Sequence, residues 1–249
     1  MESAALPAPF RLIALGQIGS TNDEARRLVE TGAAADFTVV TALSQTAGRG
    51  RRGRAWVSPP GNLHLSLLLR IDGVGNAAQV GFAAAAALAA ALASLMPKVE
   101  FRAKWPNDVL AAGRKCAGML LEPAGSHWLV VGLGVNVAAA PPPEGLNHPA
   151  CALTEWGYQG GSGPVLEAFC REFMPLAQAW RAEGFAPLRR AWLEWACGLG
   201  EAVVARLPDE TVSGLFAGLD EDGALLLGQE QGEVRRILAG DVFFPAFSR

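Results

Sequence analysis

The stretch VEFRAKWPNDVLAAGRKCAGMLLEPAGSHWLVVGLGV, residues 99–135, decides the fold class. Val99 to Ala103 reads as a strand. Asp108 to Ala111 and Lys115 to Glu122 are apolar runs on either side of Ala112-Gly113-Arg114, a hairpin signal, and Trp128 to Val135 is a further apolar strand. Strands joined by short turns are antiparallel, whereas a doubly wound parallel sheet needs a crossover between each pair. The expectation is therefore an α+β fold built on a mixed β-sheet with packed helices. Toward the N-terminus, Asn76 to Met96 carries no charge, and Leu88, Leu92 and Leu95 follow the spacing of one face of a buried helix. Leu63, Leu65, Leu67 and Leu69 alternate as in a strand. Phe37 to Leu43 and Arg11 to Leu15 are strand candidates, and Thr21-Asn-Asp-Glu24 fits a capping box with Gly32 as the stop.

Toward the C-terminus, residues 141–163 are rich in Pro and Gly and read as a loop. Pro164 suits the first turn of a helix running toward Trp180, and Pro175 is expected to kink or split it. Pro187 opens another helix ending near Gly198. After Gly200 the texture turns to short β-like runs at Glu201 to Leu207, Thr211 to Leu219, Ala224 to Gly228 and Glu233 to Leu238, with a turn at Asp220 to Gly223. Two domains are expected, 1–198 and a small β-rich unit at 199–249.

Composition excludes several classes. The chain has 249 residues, is 51% hydrophobic and carries a net charge of −3, which argues against disorder and against a generally basic nucleic-acid coat. Its four cysteines and three histidines (His64, His127, His148) are scattered, so no zinc knuckle or redox pair is expected. No signal peptide is read at residues 1–10, no membrane span is expected from the alanine-rich stretch, and the expected location is the cytoplasm. Of 21 basic residues only Lys98, Lys104 and Lys115 are lysines, and four arginines fall between positions 49 and 54.

That cluster, Gly48-Arg-Gly-Arg-Arg-Gly53-Arg54, matches the bare dinucleotide pattern, but Val57-Ser-Pro-Pro-Gly61 follows where that motif needs a helix. Alternating Gly and Arg offers backbone N–H groups and guanidinium forks together, which suits phosphate or carboxylate. Four like charges should repel and leave the loop mobile until an anion orders it; an Arg/Gly nucleic-acid patch or a solvated loop remain alternatives. Lys104-Trp-Pro-Asn-Asp108 and Gly113-Arg-Lys-Cys-Ala-Gly118 bring two of the three lysines together across a turn. A compact ammonium approaches a reacting oxygen closely. Asn107 and Asp108 are oxygen donors fit for Mg²⁺ or a ribose, or for ordinary turn chemistry. Ser20-Thr-Asn22 sits at a helix N-terminus, where free N–H groups can meet a polar ligand or simply cap.

Ser20-Thr-Asn22, Gln45-Thr-Ala-Gly-Arg-Gly-Arg-Arg-Gly-Arg-Ala-Trp56, Lys104-Trp-Pro-Asn-Asp108, Arg114-Lys-Cys-Ala-Gly118 and Val131-Gly-Leu-Gly-Val-Asn136 occur in the order and spacing of biotin protein ligases, and the chain resembles that family over about residues 10 to 245. The resemblance implies a biotin–lipoate ligase catalytic domain, related to class II aminoacyl-tRNA synthetases, with a small C-terminal Src-homology-3-like barrel. It implies activation of biotin by MgATP as biotinyl-5′-AMP, then transfer to a lysine of a biotin carboxyl carrier protein domain, of acetyl-CoA carboxylase or a related carboxylase. It gives Lys115 and Arg51 catalytic roles. Ser20, Thr21, Asn22, Gln45, Arg49, Gly50, Arg51, Lys115 and Gly118 would bind biotin and its adenylate. Arg49, Arg54, Trp56, Lys104, Asn107 and Asn136 would bind ATP, with Asp108 the candidate for Mg²⁺. Trp56 and Trp105 are read equally as packing residues or contacts. The strand around Leu63 to Leu69 would line the biotin ring pocket. Members that repress transcription carry some 60 residues ahead of the Ser-Thr-Asn segment, so sequence-specific DNA binding is not expected here. Ala139 to Cys151 lacks the aromatic that some members stack on the adenylate. A homodimer is left open.

Overall fold

The Lys115 segment lies in β6 (Arg114–Pro123), which pairs with β5 (Asp108–Ala111) through a two-residue turn. In this computed structural model, which describes residues 5–72, 77–143, 149–207, 209–229 and 232–244, Ala112 and Gly113 both have positive φ (46° and 79°), as a tight antiparallel hairpin requires. Asn76 and His148 lie outside the described residues. The remaining strands of the larger sheet are β1 (Arg11–Ile18), β2 (Thr38–Gln45), β3 (Leu63–Arg70), β4 (Phe101–Lys104) and β7 (Trp128–Val135). Their order is β1-β2-β3-β7-β6-β5-β4; only β1 and β2 run parallel, so the sheet is mixed, as expected.

Helix α1 (Thr21–Glu30) covers one face, with Ala25 and Leu28 against Val40, Leu68 and Val130. The other face carries α2 (Val80–Leu95), α3 (Ser162–Glu183) and α4 (Phe185–Glu194). Strand β3 is thus buried on both sides, including the residues that alternate with its leucines. Helix α2 is likewise buried around its circumference rather than along one face, because alanines let α3, α4 and the sheet approach it closely. By length and composition Ala77–Leu95 is apolar enough to cross a membrane, but 72% of its window is buried inside the protein, as a core helix is.

Three local expectations are corrected. Helix α3 is not split at Pro175, since burial of Phe169, Phe173 and Ala177 outweighs the one backbone bond that proline removes. Helix α4 ends at Glu194, short of Gly198. No side chain caps α1: its Thr21 hydroxyl turns away to Gln45, and Glu24 pairs with Arg27.

A second, five-stranded antiparallel sheet of the Src-homology-3-like kind follows, with β8 (Ala202–Arg206), β9 (Thr211–Leu219), β10 (Leu225–Gly228), β11 (Val234–Ile237) and β12 (Asp241–Phe243) in the order β11-β10-β9-β8-β12. Strand β12 was not foreseen. Aromatic packing joins this sheet to the helices: Trp192 meets Phe82 and Phe216 edge-on, with ring centroids 5.5 and 6.3 Å apart. Each such pair adds about 0.5–1.5 kcal/mol beyond its burial. Trp105, 2% exposed, donates its indole N–H to Gly223 O at 3.2 Å and packs at this junction while also lining the cleft that opens on the α1 side of the larger sheet.

Candidate active site

A cleft opens on the α1 side of the larger sheet, and the polar and glycine residues that the sequence singled out for binding or catalysis line it, whereas of the leucines expected from Leu63 to Leu69 only Leu65 does, the others lying in the core. Its floor is the backbone of β7. A Cβ on Gly134 would lie 2.4 Å from the Trp56 indole, and one on Gly132 would lie 2.4 Å from Asn22 Oδ1, so both positions are glycine for close approach. Gly118, next to Gly134 across the β6–β7 pair, likewise faces Trp56 and Lys115. Leu65 completes the apolar part.

The polar wall comes from the start of α1 and the end of β2. The Thr21 backbone N–H and hydroxyl both donate to Gln45 Oε1, at 2.8 and 3.1 Å. Gln45 Nε2 donates to Ser58 Oγ at 2.9 Å, and Ser58 Oγ to Trp56 O at 3.1 Å. Asn22 Nδ2 donates to Glu122 Oε2 at 2.7 Å. Ser20, Thr21 and Asn22 are buried.

The arginine loop is folded. Arg49 and Ala55 form a bridge, Gly50 N donates to Arg54 O at 2.7 Å, and Trp56 N to Gly48 O at 2.9 Å. Arg52 takes a left-handed backbone conformation (φ 56°) at its tip. Part of the expected repulsion is met by protein carboxylates. Arg49 grips Asp23 with two bonds of 2.6 and 2.8 Å, holding that carboxyl below its ordinary range. Arg52 and Arg54 share Asp241 of β12, at 3.0 and 3.3 Å. Arg51 makes no ion pair among the described residues and donates to Asn107 Oδ1 at 2.8 Å, while Asn107 holds Met119 O. Burial, with Arg52 nearby, lowers the Arg51 pKa below its usual value.

Two lysines line the same cleft as this arginine. Lys115 Nζ lies 2.6 Å from Asp108 Oδ1 and 5.5 Å from the centre of the Trp56 ring. Trp56 is thus a cleft residue. Lys104 is 5% exposed, with Nζ 5.7 Å from the Phe243 ring. Burial pushes its ammonium down to about 8, against the attraction of Asp108. A buried group whose charged form is this costly gains most from an incoming anion. Asn136, buried at the end of β7, accepts from Leu153 N and donates from its own N–H to Cys116 O. Part of the loop expected to lack an adenine-stacking aromatic, 144–148, lies outside the described residues.

Asp23, Ser66, Glu122 and Asp241 were missed. Nothing in the sequence tied Asp241 to arginines 187 and 189 positions away. Asp108, the candidate metal ligand, is engaged by Lys115, and no group of three or more His, Cys, Asp or Glu that could hold a metal ion occurs among the described residues.

Models of two families match the chain: the biotin/lipoate A/B protein ligase family over residues 16–136 and the biotin protein ligase C-terminal domain over residues 198–244. The chain is 42% identical over 242 residues to the biotin–[acetyl-CoA-carboxylase] ligase of Paracoccus denitrificans, spanning 92% of this chain and 99% of the relative. The like-named ligase of Mycobacterium tuberculosis is 34% identical, over 93% of this chain and 88% of its own length. Among solved structures, the biotin protein ligase from Aquifex aeolicus in complex with biotin and ATP superposes with a TM-score of 0.83 at 28% identity, covering 94% of this chain and 99% of that one.

Proposed function

This chain belongs to the biotin protein ligase family, and we propose that its cleft joins biotin to ATP as biotinyl-5′-AMP and then passes biotin to a lysine of a carboxyl carrier protein, that of acetyl-CoA carboxylase. The observation that carries the reading is the meeting of Arg51, Lys104 and Lys115 beside an apolar, glycine-floored slot with a polar end wall. A small ring system with an apolar face and a hydrogen-bonding edge suits that lining, and its acid tail would reach the cations.

In the first step a carboxylate oxygen attacks the α-phosphorus of ATP, and the bond to the leaving pyrophosphate breaks. Two unit charges 4 Å apart repel by about 4 kcal/mol at an effective dielectric of ~20. Lys115 offsets that repulsion. Its ammonium has three donors; one serves Asp108, and the others remain for carboxylate and phosphate oxygens. Arg51, held toward the cleft by Asn107, adds a fork for the α-phosphate. Lys104 faces the phosphate chain, with Arg54 and Asn136 toward the nucleotide. The arginine loop and Trp56 cover the mixed anhydride from water. In the second step the carrier lysine's amine attacks the acyl carbon, AMP leaves and a proton is lost.

The carboxylates lining the cleft, Asp108 and Asp241, are already paired with lysine and arginine, so they do not form a protein cage for a metal. Mg²⁺ would enter with the nucleotide, as substrate MgATP, held mainly by phosphates. The domain boundary falls at 198, between α4 and β8, and the second domain brings Asp241 to the arginine loop. The enzyme acts in the cytoplasm. Biotin-dependent exchange of label between pyrophosphate and ATP tests the first step; exchange driven by lipoate instead would overturn the assignment of biotin.

A further inference from the structure

Strand β7 ends at Val135, and the chain beyond it follows the cleft: Asn136 and Pro141 line it on the way out, and Ala150 on the way back. The returning arm is tied to β6. Lys115 N donates to Pro149 O at 2.8 Å, Cys151 N to Lys115 O at 2.9 Å, and the Arg114 guanidinium to Ala150 O at 2.6 Å. The outgoing arm lies outside the sheet, and one side chain supplies it with what a neighbouring strand would. Asn62 Oδ1 accepts from Ala138 N at 2.8 Å and from Ala139 N at 3.0 Å, and Asn62 Nδ2 donates to Ala139 O at 2.8 Å. These partners fix which end of the amide is which, because a backbone N–H only donates and a carbonyl only accepts. Gly61 permits the approach: its φ is 90°, and a Cβ there would lie 2.8 Å from that of Ala138. Asn62 is 4% exposed and lies behind the cleft rather than lining it. An apolar side chain of like size would fill that space without the cost of burying an amide. What the amide adds is a fixed backbone path at Ala138 and Ala139.

We propose that Asn62 is a positioning residue for the nucleotide: it fixes the backbone at Ala138 and Ala139, and through it the place of Pro141 in the cleft wall, without touching either substrate. The inference rests on the biotin ligase reading, in which Asn136 and the segment after it face the nucleotide while Thr21 and Gln45 face biotin. Without Asn62, two backbone N–H groups and one carbonyl lose their partners, and the outgoing arm recovers those bonds by turning to water. The nucleotide end of the cleft then loosens. The biotin end, held by Gln45, Ser58 and Thr21, does not depend on those three bonds. Simple loss of packing would instead weaken both substrates alike.

The test measures biotin-dependent exchange between pyrophosphate and ATP on wild type, Asn62→Ala and Asn62→Asp, together with calorimetric binding of biotin in the absence of nucleotide. In Asn62→Ala the KM for ATP is expected to rise by about five- to thirtyfold, the worth of one to two hydrogen bonds. The exchange rate at saturating ATP and the biotin Kd are held. Asn62→Asp keeps an acceptor for both N–H groups and loses only the donor to Ala139 O, so its KM for ATP falls between the two, and it carries the test if the alanine variant does not fold. An unchanged KM for ATP, or equal weakening of biotin and ATP, would overturn the role of Asn62 alone, and so would failure of both variants to fold. Wild-type protein that binds no biotin and exchanges no label would overturn the biotin ligase reading and this inference with it.

Discussion

Replacing Lys104 by methionine separates what that residue costs the fold from what it contributes to the nucleotide. The methionine keeps the apolar stem and removes the charge. Burial lowers the Lys104 ammonium from 10.5 to about 8, a depression corresponding to roughly 3 kcal/mol of cost to the folded state at neutral pH. Between pH 8 and 10.5 the unfolded chain binds more protons than the folded one, so stability should rise with pH across that window. It should level off above it, and the full cost is present below pH 8. Lys104→Met should remove that rise and be more stable than wild type at pH 7 by up to about 3 kcal/mol. An anion held against the amine restores the charged form. At pH 8 about half of the Lys104 amines are neutral, so ATP binding should take up about 0.5 proton per site, falling to about 0.1 at pH 7. Calorimetric titration in two buffers of different ionisation enthalpy measures that uptake, with the methionine variant as the subtraction. Equal proton uptake by wild type and variant at pH 8, or stability that is flat from pH 8 to 10.5 in both, would refute the reasoning.

Lys115→Ala should abolish biotin-dependent ATP–pyrophosphate exchange with little change in melting temperature, since its ion pair with Asp108 lies at the cleft and not in the core; exchange at the wild-type rate would remove Lys115 from the first step. Arg51→Gly should open the loop where Asn107 holds it and let biotinyl-AMP escape. Rapid filtration of the labelled intermediate reads the escape, and equal retention by variant and wild type would count against it. Gly134→Ala places a Cβ 2.4 Å from the Trp56 ring, forcing the indole to move. A stability loss of about 1–3 kcal/mol and a weakened biotin KM are expected, and wild-type melting and KM would contradict the close approach.

The β5–β6 hairpin and β7 were legible because a short turn and continuous apolar runs leave little choice of pairing. Strand β12 was not, because Asp241-Val-Phe243 is too short to show alternation and is paired only through β8. Pro175 misled for another reason: its local cost is outweighed by aromatic packing that no local pattern reveals. At the site, the rarity of lysine pointed to Lys104 and Lys115. The function of Gly132 and Gly134 as a floor depends on Asn22 and Trp56 lying above them, a long-range fact. The same holds for the loop. Its arginines suggested repulsion, but Asp23 and Asp241 arrive from elements far along the chain and close it.

The central claim is that one cleft both activates biotin and hands it to a protein lysine. Purified chain, MgATP, labelled biotin and a carboxyl carrier domain measure it in a single experiment. The account predicts one label per carrier, stable to acid, with one pyrophosphate and one AMP released for each. A carrier whose acceptor lysine is replaced should stay unlabelled while pyrophosphate is still formed. No label on the intact carrier, or label that appears without ATP, would contradict the account.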